Sequence, residues 1–288
     1  MTISTSALGD LPPDTAMLVE PVYLAGRGDS VAVHDGLCDR GWGKAVTSNG
    51  ALFANPRHDV LVSHLSEEAG RRNGWKITQH REPLGMPLWS ASFSDNTPAE
   101  IVTAVCGVLE QATTRGHRDS RHADLTIEDS NPVRPLTERG WEAANAALYH
   151  YHRSPDGHAY FRERTWDLDD YEELDGRGPA HWSMHSCVDR VNGERWYADF
   201  TSATPRDLVS AATRATSSAD PVERPLHAIP ERNLPYVTLR PADAQRSPLR
   251  SAAVSRSSPH RQQTDAPSPS ASSAPDPPPT PGPSHRRS

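Results

Sequence analysis

The chain has 288 residues, a formal charge of −7 and a hydrophobic content of only 35%. The apolar deficit sits at one end: residues 241–288 are mostly Pro, Ser, Ala and Arg without apolar periodicity, too little to offset the entropy lost on folding, and a disordered tail is expected there. That tail holds six Arg against three Asp, which leaves the first 240 residues at about −10, a field that repels phosphate backbones and argues against nucleic acid as a partner.

Residues 1–18 lack the basic start and apolar stretch of a signal peptide, and no run reaches membrane-spanning length, so the expectation is a cytoplasmic chain with no membrane association. Cys38, Cys106 and Cys187 are odd in number and far apart. That suits neither a disulfide framework nor a zinc knuckle, and small buried thiols are expected.

Residues 19–24 are apolar enough for an edge strand. A short helix is expected before Arg40-Gly41-Trp42, with the glycine ending it. Asn55-Pro56-Arg57-His58 marks a turn, and strands are expected to start at Trp75 and Trp89. The next helix is explicit: Thr97 reads as N-cap, Pro98 as the first helical residue and Glu100 lies three residues after the cap, while Ile101, Val102, Val105, Val108 and Leu109 share one face. Residues 125–127 and 236–239 are two further candidate edge strands.

The second half repeats the first. Displaced by 99 residues, segment 39–65 falls on 138–164 without a gap, so that Asp39-Arg40-Gly41-Trp42 meets Glu138-Arg139-Gly140-Trp141 and Pro56 meets Pro155. Displaced by 107, Trp75, Trp89, Ala91, Phe93, Thr97, Pro98, Val102 and Ala104 meet identical residues at Trp182, Trp196, Ala198, Phe200, Thr204, Pro205, Val209 and Ala211. Two matched tryptophan pairs at equal spacing establish a duplication. In the second copy Ser154-Pro155-Asp156-Gly157 is a type I turn signal between strands 147–153 and 158–164, expected to set His152 across from Ala159 and His150 across from Phe161. Eight extra residues fall within 164–180. Their acidic run from Asp167 to Gly176 lacks the Gly and Glu positions of an EF-hand and reads as a solvated loop. The second Thr-Pro helix carries fewer apolar residues and should be shorter.

The fold class is therefore α+β: two tandem α-β-β-β-β-α modules over residues 18–113 and 123–240, each an antiparallel sheet with helices on one face, followed by the tail 241–288. The two sheets are expected to dock as a pseudo-symmetric pair. The matched tryptophans are assigned to the core.

The opening Tyr23-Leu24-Ala25-Gly26-Arg27-Gly28-Asp29, the Arg-Gly-Trp, the Ser154-Pro155-Asp156-Gly157 turn and the Trp196, Phe200, Thr204-Pro205 close resemble the actinobacterial SPDY-type family of domains of unknown function. The resemblance spans about 18–240 in two copies. Copy one departs from it at the turn. It implies a domain and no activity.

No phosphate-binding loop, nucleophile elbow, dinucleotide fingerprint or zinc-protease helix occurs, and no cofactor is implied. Copy two alone carries His150, His152, His158, His181 and His185, and alternation offers His150, His152, His181 and His185 as candidate metal ligands or bases on one sheet face. Copy one has Ala51, Phe53, Gly74 and Thr78 there. The other candidate is an interaction face made of His181, Ser183, His185, Arg195, Tyr197 and Asp199, suited to a protein partner. In the tail, Pro277-Pro278-Pro279-Thr280-Pro281 is a polyproline II segment that a proline-binding domain would dock. The expected function is a non-catalytic interaction module, with a histidine-dependent metal-binding or hydrolytic site in copy two as the alternative.

Overall fold

Each copy opens on a helix that a glycine stops. The structure is a computed structural model that describes Leu8 and residues 11–65, 74–114, 130–189 and 195–242. After β1 (Ala16–Glu20), copy one runs α1 (Ser30–Asp39), β2 (Gly43–Thr47), β3 (Gly50–Ala54), β4 (Val60–Leu65), β5 (Gly74–His80), β6 (Pro87–Ser94) and α2 (Ala99–Thr114). Copy two runs α3 (Arg134–Glu138), β7 (Glu142–Ala146), β8 (Tyr149–Arg153), β9 (Ala159–Arg164), α4 (Asp170–Leu174), β10 (Trp182–Ser186), β11 (Trp196–Phe200) and α5 (Arg206–Thr216); β12 (Val222–Pro225) and β13 (Thr238–Pro241) follow. Gly41 and Gly140, at φ +82° and +75°, close α1 and α3 as expected. As expected too, the second Thr-Pro helix is the shorter one.

Each copy thus has five sheet strands where four were expected. The missed strands, β2 and β7, are exposed at all five positions and carry no apolar alternation to betray them. Nor are there two docked sheets. All ten strands form one antiparallel sheet in the order β2-β3-β4-β5-β6-β11-β10-β9-β8-β7, joined through β6 and β11. At that seam Ser92 pairs with Asp199, flanked by Ala91 with Phe200 and Phe93 with Ala198. Ser92 and Asp199 are equivalent positions of the two copies, so a pseudo-two-fold axis passes between them.

The Thr-Pro motif fastens this seam. Thr97 and Thr204 were expected to cap helices, yet α5 has no side-chain cap, and both hydroxyls reach across the axis. Thr97 Oγ1 donates to Tyr197 O at 3.0 Å, and Thr204 Oγ1 to Ser90 O at 3.3 Å. Each threonine also bonds a hydroxyl of its own copy, Ser94 or Thr201, at 3.1 Å. Ser94 and Thr201 in turn accept from Tyr197 N and Ser90 N, again at 3.1 Å each. Beneath the clasp, the equivalent rings of Phe93 and Phe200 meet edge-on at 5.5 Å.

One face of the sheet is covered by helices. Trp75, Trp182, Trp89 and Trp196 are all buried there with Phe53, Phe161, Ile77 and Met184 against Ile101, Val102, Val105, Leu208 and Val209 of α2 and α5, in one cluster spanning both copies. The tryptophans are core residues, as expected. Residues 19–24 and 236–239 do not edge this sheet. Instead β1 is the middle strand of a second sheet, β12-β1-β13, with a core of Met17, Val19, Ile229 and Leu239, and Val22–Leu24 is a 3-10 turn. Residues 125–127 lie outside the described residues, as does the expected tail beyond Ala242, with its polyproline segment.

Two local expectations are corrected. In the β8–β9 hairpin His152 pairs with Phe161 and His150 with Glu163. The turn is followed by Gly157 at φ +77° and Ala159 N bonds Ser154 Oγ, so four residues rather than two form the loop and the register moves by two. The acidic run is not a solvated loop either: Asp169 caps α4 through Tyr171 N at 2.9 Å, and Glu173 is buried. Glu173 faces Arg164 at 2.7 Å with both side chains 1% exposed. Arg164 also donates to Trp166 O and Pro179 O, and Glu173 accepts from Ser202 N and Oγ, so every strong group of the pair is satisfied.

Candidate functional site

With one face of the sheet under helices, strand alternation delivers the other residues of β8–β11 to the opposite face. Arg162, Ser183, Asp199, Ser92 and Lys76 form one row across it, and Arg153, Tyr160, His185 and Tyr197 the next. Ser183 Oγ donates to Asp199 Oδ1 at 2.8 Å and accepts from Arg162 Nη2 at 3.3 Å. The His185 ring stacks on Tyr160 at 5.0 Å and 14°. The Arg162 guanidinium lies 5.0 Å over the Tyr149 ring, and Tyr149 also meets Tyr151 and Trp166. Four of the six residues expected on an interaction face therefore share this face. Arg195 is exposed just ahead of β11. His181 lies 3.8 Å from Glu163 and edge-on to Trp182, and this neighbour holds the Glu163 carboxyl below the usual range.

The face is lopsided. At the positions of Tyr151, Tyr160, Arg162, Ser183, His185, Tyr197 and Asp199, copy one has Leu52, Leu61, Ser63, Lys76, Thr78, Ser90 and Ser92. The aromatic and bonded half belongs to copy two alone. Sequence reasoning missed Tyr149, Tyr151, Tyr160, Arg162 and Trp166 because Tyr151 and Tyr160 compete with Phe161 for the core, so the pattern alone does not decide which face of the hairpin the helices cover.

The four candidate metal-ligating histidines are not gathered. His152 is on the helix side against Phe161, whereas His185 is on the opposite face. His150 is exposed and bonded to Asn145 Oδ1 at 2.9 Å. Burial lowers the His152 pKa, so the ring is neutral at pH 7, and its buried Nδ1 has no partner. Among the described residues no three His, Cys, Asp or Glu side chains are placed to hold a metal ion.

Copy one holds a chain of polar groups that sequence reasoning missed. Arg27 Nη1 donates to Asp95 Oδ2 at 3.1 Å, His64 Nε2 lies 3.3 Å from Asp95 Oδ1, and His34 Nε2 lies 3.1 Å from His64 Nδ1. A carboxylate only accepts, so His64 donates to Asp95 through Nε2. His64 stacks on Trp75 at 4.0 Å, and burial, with His64 and Lys44 nearby, lowers the His34 pKa. Nothing in the spacing of residues 27, 34, 64 and 95 signals this grouping.

Of the cysteines, only Cys106 is buried, its thiol pushed up to about 12 by burial; Cys187 is half-buried and Cys38 exposed. Tyr23 of the opening motif serves copy two: its hydroxyl donates to Asp156 of the turn at 2.8 Å and its ring meets Trp141. Burial and Asp156 together raise the Tyr23 pKa.

Two stretches, residues 54–114 and 153–222, match SPDY, a domain of unknown function (DUF317). The SPDY model thus matches the chain twice, once in each copy. Each SPDY match runs from the last residue of the first long hairpin strand, through the turn and the matched tryptophans, to the Thr-Pro helix or just past it. The opening motif and both Arg-Gly-Trp segments lie outside it. No curated protein and no solved structure matches the chain. No helix among the described residues is long and apolar enough to cross a membrane.

Proposed function

We propose that this chain is a non-catalytic protein-interaction module, in which SPDY copies over 18–113 and 123–240 share one sheet and the copy-two half of its open face receives a protein partner. The observation that carries this reading is the lopsided face. Six aromatic or imidazole rings, Tyr149, Tyr151, Tyr160, Trp166, His185 and Tyr197, flank an Arg162-Ser183-Asp199 network on copy two, where the corresponding copy-one positions hold Leu52, Leu61, Ser63, Lys76, Thr78, Ser90 and Ser92 and no ring. Tyr and Arg dominate interface hot spots, since a ring brings contact area at little entropic cost. What the copies share is confined to fold-forming residues, which leaves recognition to what differs. A histidine site in copy two has less support, because His152 and His185 face opposite sides of the sheet.

The test is co-purification from native cells of the wild-type chain, of Tyr160→Ala/Tyr197→Ala, and of the mirror variant Leu61→Ala/Ser90→Ala. Loss of a stoichiometric protein from the first variant and its retention by the second supports the proposal. Equal retention by both removes this face from consideration.

A further inference from the structure

The two copies also diverge on the helix side. Between α3 and α5 lies an open groove of about 460 Å³, lined by Arg134, Arg139, Arg214, Asn131, Ser218 and Asp220 among others. Arg134 is held by Glu138 at 2.8 Å, and Asp220 accepts from Ser218 Oγ at 3.2 Å. Arg139 and Arg214 are exposed and neither has a carboxylate partner among the described residues. Asn131 accepts from Val133 N through Oδ1, which leaves its amide N–H groups to donate.

Copy one provides an internal control. Its α1 ends with the same backbone bonds as α3, Arg40 N to Leu37 O matching Arg139 N to Leu136 O, so the positions correspond by 99 residues. Where copy two has Arg134 and Arg214, copy one has Asp35 and Gly107. The groove of copy two has thus acquired cationic character in a body whose overall charge is negative. Two unpaired guanidinium forks offer paired donors of the geometry that suits a tetrahedral dianion.

We propose that the groove between α3 and α5 is a binding site for a small phosphate monoester, with Arg139 and Arg214 on the phosphate and the Asn131 amide supplying donors beside it. The volume admits a phosphate with a modest organic group, and access is open from solvent. This site is separate from the open sheet face and does not depend on it.

The experiment is calorimetric titration of the full chain with inorganic phosphate and with phenyl phosphate. Wild type is expected to show one saturable site for phenyl phosphate. Arg139→Gln and Arg214→Gln should each weaken it by roughly tenfold, the loss of one charge-assisted contact, while Arg40→Gln, the copy-one counterpart of Arg139, leaves it unchanged. All three positions are exposed, so unaltered melting curves will show that the fold survives. Phenyl phosphate binding absent up to about 10 mM, a limit corresponding to negligible affinity, overturns the proposal, and so does an equal loss in Arg40→Gln. Saturable binding of inorganic phosphate alone, with none of the ester, overturns its ligand class.

Discussion

Replacing Thr97 and Thr204 by valine, one at a time and together, tests the seam that makes two copies one sheet. Valine keeps the β-branched shape and removes the hydroxyl. In each case two hydrogen bonds go, one across the axis to Tyr197 O or Ser90 O and one to Ser94 or Thr201. Both threonines are buried, at 1% and 3% exposure, so water does not replace what is lost. At about 1 kcal/mol net for each bond, either variant should lose about 2 kcal/mol and the double variant about 4. For a chain of this size that is a fall in Tm of roughly 4–8 °C per site. Urea titration followed by tryptophan fluorescence reads the free energy directly, since all four matched tryptophans lie in the shared core. Because the bonds are related by the pseudo-two-fold, the two single variants should agree to within about 0.5 kcal/mol. A large loss at one threonine with none at the other would refute the symmetric clasp.

Three other outcomes follow from the same geometry. Glu173→Gln strands the Arg164 charge in a site 1% exposed and should cost about 3–5 kcal/mol, whereas Arg164→Met/Glu173→Leu should recover most of it, both read by urea titration. His152→Phe installs the residue copy one carries at this position, Phe53, and removes a buried unpartnered nitrogen, so stability should rise by about 1 kcal/mol. Burial lowers the His152 pKa below its ordinary 6.5, so the unfolded chain holds that proton more tightly. The wild-type stability contribution is complete above pH 6.5 and is lost as pH falls towards the folded pKa, and the advantage of His152→Phe should therefore widen between pH 7.5 and about 5.5. Finally, His58 occupies the position of Gly157 at φ +59°, and His58→Gly should gain about 0.5–1 kcal/mol in the same titration by relieving a left-handed non-glycine residue.

The tryptophans, the Thr-Pro pairs and the turn made the duplication legible, because rare residues at matched spacing survive divergence. The way the copies join was not legible. Thr97 and Thr204 look like N-caps in sequence, and only the pairing of β6 with β11 shows their hydroxyls crossing to the other copy. Strands β2 and β7 escaped because edge strands exposed on both faces carry no apolar alternation. The open face was half legible: Ser183, His185, Tyr197 and Asp199 follow from alternation within single strands, while Tyr151, Tyr160 and Arg162 required knowing which hairpin face the helices cover, which the competing apolar residues on both faces left open. The Asp95, His64 and His34 chain joins a loop, a strand and a helix, and no local pattern predicts it.

The most direct measurement of the interaction reading is site-specific photocrosslinking in native cells. A photoreactive residue replaces Tyr160 in one strain and its copy-one counterpart Leu61, on the same sheet face, in another. The account predicts a discrete crosslinked protein from position 160 and none from 61. No product from 160, or the same product from both positions, would contradict it.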